Sequence, residues 1–239
     1  DWALKLGIGL DFNPTCFSHP LAEDGFTISS KNEKIRKFWV EHNKRCRKIG
    51  AEMGKQLGTP CVNNIWVPDG SKDIPVDRYT YRQLLMKSLD EIFSIEYPKE
   101  YLKDSIECKL FGLGSEAMVV GSSEFYIGYG IKNNKLITLD NGHFHPTEQV
   151  ADKISSLLLY VDELMLHMTR GVRWDSDHVV IYNDEIQYIA QEIVRCNALD
   201  RVNVGLDYFD ASLNRIGAYV VGTRAAQLAF LNALLEPLA

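Results

Sequence analysis

The sequence predicts an α/β fold built on a parallel sheet, and two observations carry that expectation. Six short β-like runs alternate with longer helical patterns, the layout of repeated βαβ units. Several of those runs are almost continuously apolar, as strands covered on both faces must be. In chain order, LGIGLDF (Leu6 to Phe12) reads as the first strand. A helix follows from Asn32, with Gly58 and Pro60 as stop signals. CVNNIWV (Cys61 to Val67) is the second strand, and DRYTYRQLLMKSLDEIFS the helix after it. SIECKLF (Ser105 to Phe111), LITLD (Leu136 to Asp140), ELMLHM (Glu163 to Met168) and RVNVGLDYF (Arg201 to Phe209) complete the six. Helical patterns run from Thr147 to Tyr160, after Pro146, and from Asn183 to Cys196, with Asn183 as N-cap. The last runs from Asn214 to Glu236. GIGLDF, GLGSEA and GYGIKN lack a complete dinucleotide fingerprint and read as tight turns or close backbone approaches.

The composition narrows the function. The 239 residues carry a formal charge of -6, and no dense basic patch stands out, which argues against a nucleic-acid partner. Lys44, Arg45, Arg47 and Lys48 lie on a helical pattern near Glu41 and Glu52 and read as a solvated face. Five scattered cysteines without a CxxC pair suggest a reduced, cytosolic compartment. No signal peptide shows, and the apolar runs are too short to span a bilayer. The start at Asp1 and the end at LEPLA read as cuts in a longer protein. With no linker and no low-complexity segment, residues 1–239 read as a single domain.

Acids and imidazoles collect at strand ends. Glu107 and Lys109 share a face of the third strand, because side chains alternate. Asp140 ends the fourth, and the loop NGHFHP brings His143 and His145. His167 lies near the end of the fifth, followed by Asp175 and Asp177 in RWDSDHVV. Asp207 is near the end of the sixth, with Asp210 beyond. In barrel enzymes that rim builds the active site. Each residue alone has a plainer reading: a strand-end Asp often caps a helix, and a lone His is more often hydrogen-bonded than ligating. His19, His42 and His178 read as structural, and only one of His143 and His145 need face the acids. The coincidence on four successive strands is what weighs. Asp175 and Asp177, two residues apart, cannot both stay charged in a dry site without a cation. The pooled set Glu107, Asp140, His143, His167, Asp175, Asp177 and Asp207 exceeds the needs of one ion, so two divalent ions are expected. Oxygen-rich, thiolate-free donors favour manganese, magnesium, cobalt or zinc. Cys108 should point to the opposite face from Glu107. Trp66, Phe12, Phe17, Tyr208 and Phe209 suit a small polyol.

The motifs NNIWVPDG, ECKLFGLG, EFYIGY, TLDNGHFHPTE, RWDSDHVV and GLDYFDASLNRIGAYVVG together resemble the bacterial L-rhamnose isomerases, over nearly the whole chain. The resemblance implies a (β/α)8 TIM barrel, here about six of eight strand–helix units, lacking the first two and a C-terminal extension. It implies a cytoplasmic homotetramer of rhamnose catabolism acting on a small sugar, with two metal sites and Mn2+ as the usual ion. One metal takes Glu107, Asp140, His167 and Asp207; the catalytic one takes His143, Asp175 and Asp177. Lys109 and Asp207 serve catalysis, and Lys109, Trp66 and Phe209 contact the sugar. The expected reaction interconverts L-rhamnose and L-rhamnulose, by a general base and an enediol or by a metal-assisted 1,2-hydride shift, and the residues suit the second. The other readings are a catalytically silent metal-binding fragment and a binuclear barrel hydrolase.

Overall fold

The computed structural model describes residues 1–109, 117–172, 177–208 and 214–236. The chain forms two compact units, residues 1–136 and 137–239.

In the first unit, α1 (Trp2–Leu6) ends at Gly7, which takes φ 63° in the left-handed region. The expected strand over Leu6 to Phe12 is therefore cut short. Only Phe12 pairs, in a parallel bridge to Asn63: its N–H donates to Val62 O at 2.8 Å, and its carbonyl accepts from Asn64 N–H at 3.0 Å. The long helix α2 (Glu33–Leu57) matches its sequence signals. Asn32 caps it by accepting from Lys34 N–H at 3.0 Å, and Gly58 ends it at φ 69°. A side-chain cap of this kind is worth about 1 kcal/mol.

The helix lies against two parallel strands, β1 (Cys61–Ile65) and β3 (Leu102–Glu107), paired from Cys61↔Leu102 to Ile65↔Ile106. All five residues of β1 are buried, Asn63 and Asn64 included. The approach is close. A Cβ on Gly54 of α2 would stand 2.0 Å from the Tyr101 carbonyl oxygen, so only glycine fits there.

Between the strands come β2 (Gly70–Ser71) and α3 (Arg78–Ile92), the latter capped by Asp77 accepting from Thr80 N–H. β4 (Met118–Val119) pairs antiparallel with β2. The helix α4 (Ser123–Asn133) was not expected. Its two interior glycines suggested turns, yet it buries Tyr126 and Tyr129. Tertiary burial outweighs about 1 kcal/mol of intrinsic cost per glycine.

The basic cluster of α2 is only partly a solvated face. Lys44 pairs with Glu41 and Glu91 at the surface, but Arg47 is 1% exposed. Its guanidinium binds both carboxylate oxygens of Asp104 at 2.8 Å and the carbonyls of Ile92 and Ile95. Sequence periodicity cannot distinguish an Arg that snorkels outward from one that reaches a buried acid.

The second unit holds three parallel strands, β5 (Leu136–Asp140), β6 (Leu164–Met168) and β7 (Val202–Leu206), in that order. Their register sets Asp140 opposite His167, and His167 opposite Gly205. Helix α5 (Val150–Leu157) follows β5. Helix α6 (Asp184–Arg195) follows β6, with Asn183 accepting from Ile186 N–H as expected. It buries Ile186, Ile189, Ala190 and Ile193, one stripe at helical spacing. Helix α7 (Arg215–Leu234) buries alanines, at 218, 225, 226, 229 and 233. Small residues let it lie close to its neighbour. β5 and β6 end where the sequence suggested, at Asp140 and Met168, whereas β1, β3 and β7 end sooner, at Ile65, Glu107 and Leu206. Glu107 and Asp140 are the final residues of β3 and β5, His167 the penultimate residue of β6, and Asp207 the first after β7.

Candidate metal centre

In the second unit, β5, β6 and β7 end side by side, and each delivers a side chain to one place. Asp140, His167 and Asp207 place ligand atoms within 4.8 Å of one another. So do Asp140, His143 and Asp177. Asp140 belongs to both groups. His167 Nδ1 lies 3.2 Å from the Asp207 carboxylate and 3.8 Å from that of Asp140. Asp140, His143 and His167 are almost wholly buried. A buried carboxylate must meet a positive charge or give up its own.

The loop after β5 settles which histidine faces the acids. The chain turns back at once: His143 N–H donates to the Asp140 carbonyl at 3.1 Å, and Gly142 N–H to the Asp140 carboxylate at 2.7 Å. The turn swings His143 inward. His145 stays exposed, with its Nδ1 2.7 Å from the Thr147 hydroxyl, and caps the loop before α5. His19, His42 and His178 serve structure: His19 accepts from Leu21 N–H, His42 packs edge-on to Trp39, and His178 pairs with Arg170.

Asp175 and Phe209 lie outside the described residues. Of the seven expected ligands, five gather in the second unit. The sixth, Glu107, closes β3 in the first unit. It is 3% exposed, and its carboxylate accepts from Asn64 Nδ2. Asn64 sits on the same face of the neighbouring strand, opposite Ser105 and two residues short of Glu107. Nothing in the sequence singled it out, since one strand asparagine carries no motif.

Lys109, two residues past Glu107, donates from Nζ to the Pro68 carbonyl at 3.2 Å and lies over the Trp66 ring at 5.9 Å. Trp66 is edge-on to Phe17, with ring centroids 5.7 Å apart. Among the described residues, its buried indole N–H has no acceptor. An orphaned donor of this kind costs about 1–3 kcal/mol and marks a place where another group can bind. Asp69, buried next to Pro68, accepts from the backbone and hydroxyl of both Thr27 and Ser29 and so fastens this wall.

The donor set fits divalent cations. It comprises buried and half-buried carboxylates and buried imidazoles, with no cysteine among them. Such donors suit manganese, magnesium, cobalt or zinc. All five cysteines are free thiols. Among the described residues, no helix is long and apolar enough to cross a membrane.

Comparison with known proteins gives the wider frame. The family model described as L-rhamnose isomerase (RhaA) matches residues 1–239. The L-rhamnose isomerase of Bacteroides thetaiotaomicron is 60% identical over 239 residues, which is 100% of this chain and 56% of that protein. That of Rhodopirellula baltica is 58% identical over 237 residues, 99% of this chain and 56% of that protein. The chain thus spans 56% of the length of these curated relatives. Among solved structures, a D-tagatose 3-epimerase-like protein superposes with TM-score 0.60 at 15% identity, over 97% of this chain and 83% of that one. The IOLI protein with a bound zinc atom superposes with TM-score 0.56 at 13% identity, over 98% and 92%. At such identities the likeness shows the fold alone: α/β with parallel strands, an incomplete TIM barrel. Family membership rests instead on sequence identity along the whole chain, and by that measure the chain belongs to the L-rhamnose isomerase family.

Proposed function

We propose that this chain carries the metal-binding rim of an enzyme that interconverts L-rhamnose and L-rhamnulose. The observation that supports it is the doubly used Asp140, common to two overlapping groups of acids and imidazoles in a chain of this family. On this reading Asp140, His167 and Asp207, with Glu107 as the fourth ligand, hold one divalent ion. His143 and Asp177, with Asp175, hold the second. Manganese is the expected ion, and cobalt, zinc and magnesium share its donor preferences. The sugar is the partner, and the complete protein is a cytoplasmic homotetramer.

The reaction moves a hydride from C2 to C1 of the aldose and a proton from O2 to O1. Bound divalent ions supply the Lewis acidity that polarises the sugar oxygens. Lys109 places its ammonium where negative charge develops at O1, a kind of stabilisation often worth about 3–4 kcal/mol. Its bond to Pro68 and its place over Trp66 fix its direction. Asp207 orients the O2 end of the sugar. Trp66 and Phe209 wall the sugar, and the Trp66 indole N–H offers it a donor.

The test pairs elemental analysis of the dialysed protein with a ketose assay on L-rhamnose in deuterated water. Two divalent ions per chain, and L-rhamnulose without deuterium at C1, support the reading. Deuterium at C1 replaces the hydride shift with an enediol. Two ions without turnover leave a metal-binding segment that needs the rest of the longer protein. No metal after manganese addition refutes the two-ion site.

A further inference from the structure

Asn141 stands between Asp140 and Gly142 and makes contacts that no ligand role requires. It is 6% exposed. Its backbone N–H donates to the His167 carbonyl at 3.3 Å and so continues the β5–β6 ladder one step past its last pair. In a parallel ladder the next bond runs from the N–H of residue 169 to the carbonyl of residue 141. That bond is replaced. Thr169 N–H donates to the Asn141 side-chain oxygen at 2.7 Å, and Asn141 Nδ2 donates back to the Thr169 carbonyl at 2.7 Å. Burial pushes up the carboxyl of Glu185, in the first turn of α6, and the Asn141 amide lies near enough to favour its carboxylate against that. The carboxamide acts as a spare peptide group. It lets the backbone after β5 leave the ladder and turn, carrying His143 inward, while β6 stays pinned.

The pin reaches further. Thr169, fully buried, donates from its hydroxyl to the His178 carbonyl at 3.3 Å. Arg170 and His178 exchange backbone bonds at 3.0 and 3.2 Å, and Arg170 Nε donates to the Val179 carbonyl at 3.0 Å. Residues 170 and 178 thus close the base of a loop, and Asp177 is the last residue before that closure. Asp140 and His143 flank the pin on one side, and Asp177 hangs from it on the other.

We infer that Asn141 is a positioning residue: it locks the loop after β5 to the loop after β6 and thereby places Asp177 against Asp140 and His143. The inference rests on the two-ion reading for its consequence and on the hydrogen bonds alone for its geometry. Asn141→Leu keeps the shape and removes both side-chain bonds to Thr169. Outer-shell partners of ligands typically change metal affinity by about 10–100-fold.

The experiment uses manganese alone as probe, by equilibrium dialysis of the chain, with hydrogen exchange read at the Thr169 amide. In Asn141→Leu, one manganese should bind as in the wild type and the second about 10–100-fold more weakly, while Thr169 exchange accelerates at least tenfold. Asn141→Gln, which keeps the carboxamide but misplaces it by one methylene, should restore neither. Equal weakening of both ions in step with a lowered thermal midpoint would make Asn141 merely structural and overturn the inference. Two ions bound at wild-type affinity would overturn it as well. A wild-type chain that binds no manganese refutes the two-ion reading. The pin is then judged by Thr169 alone: unchanged exchange overturns it, and accelerated exchange upholds it.

Discussion

Asp140 and His167 face each other as the last register pair of β5 and β6, with His167 Nδ1 3.8 Å from the Asp140 carboxylate. Strand pairing alone brings them together, so the first ligand group is built into the sheet. The second is not. His143 and Asp177 come from loops, and they meet Asp140 only because those loops turn back on the strand ends. This asymmetry makes the acids unequal. Asp140→Asn should abolish both manganese equivalents, whereas Asp177→Asn should lose one and keep the other. In the wild type, each manganese ion at 100 times its dissociation constant adds about 2.7 kcal/mol to stability. That corresponds to a rise of about 5–10 °C in the thermal midpoint for a chain of this size. Thermal melts with and without manganese check it: no rise is expected for Asp140→Asn, and an intermediate one for Asp177→Asn.

Gly142 is held by space. Its φ is not in the left-handed region, but an added Cβ would stand 2.9 Å from Thr169 Cγ2 and 3.1 and 3.2 Å from carboxylate oxygens of Asp140 and Asp177. Gly142→Ala should therefore cost about 1–3 kcal/mol by overpacking and push the two acids apart. The contributions separate in a double variant. Thr169→Ser removes the crowding methyl and keeps the hydroxyl, so Gly142→Ala/Thr169→Ser should recover most of the stability. It should not recover manganese affinity, because the carboxylates remain displaced. Recovery of both together would mean that the methyl contact accounts for the whole effect.

The parts of this molecule legible in its sequence are those with a local signature. Helix α2 announces itself by Asn32 and Gly58, and α6 by Asn183 and its isoleucine spacing. The strand-end acids and histidines stand out because one residue type recurs at one place in successive repeats, and five of the seven expected ligands gather in the second unit. The choice between His143 and His145 was not legible, since alternation shows only that they differ. The turn fixed by Gly142 and Asp140 decides it. Asn64, Asn141 and Arg47 were not legible either. Their roles depend on what a neighbouring strand or helix presents, and asparagine and arginine are common on surfaces. The stretch Leu6–Phe12 misled because two glycines in an apolar run fit a close-packed strand as well as a helix stop.

Arg47 and Asp104 form a buried pair with two bonds of 2.8 Å. Two carbonyls, the rings of Phe93 and Tyr97, and Lys135 at 3.4 Å from Asp104 surround it. Removing one partner leaves an uncompensated charge, so Arg47→Met should cost about 3–5 kcal/mol. Arg47→Lys should cost nearly as much, because an ammonium cannot span both carboxylate oxygens and both carbonyls. Asp104→Leu alone strands the guanidinium. The pair Arg47→Met/Asp104→Leu should be far less destabilised than the sum of the two single variants. Urea titrations of the four proteins close the cycle. Additive losses would mean the pair contributes no coupling.

The thiols differ in access. Cys16 and Cys61 are fully buried, and burial pushes each thiol up to about 12; Cys46 rises to about 11 for the same reason. At pH 8 a thiol of pKa 12 is about one part in ten thousand thiolate, the form that reacts. Cys108 is 5% exposed, and Cys196 is the one of the five that solvent partly reaches, at the end of α6. Burial and the neighbouring Glu192 push its thiol upward too, so its reaction should be slow but first. Ellman's reagent at pH 8 should therefore titrate one thiol in the folded chain and five after urea. Cys196→Ser should remove the folded-state reaction and leave the unfolded count at four. If a second thiol reacts at the rate of the first, one of the buried sites opens far more often than its packing implies, and the Cys46→Ser and Cys108→Ser variants identify which.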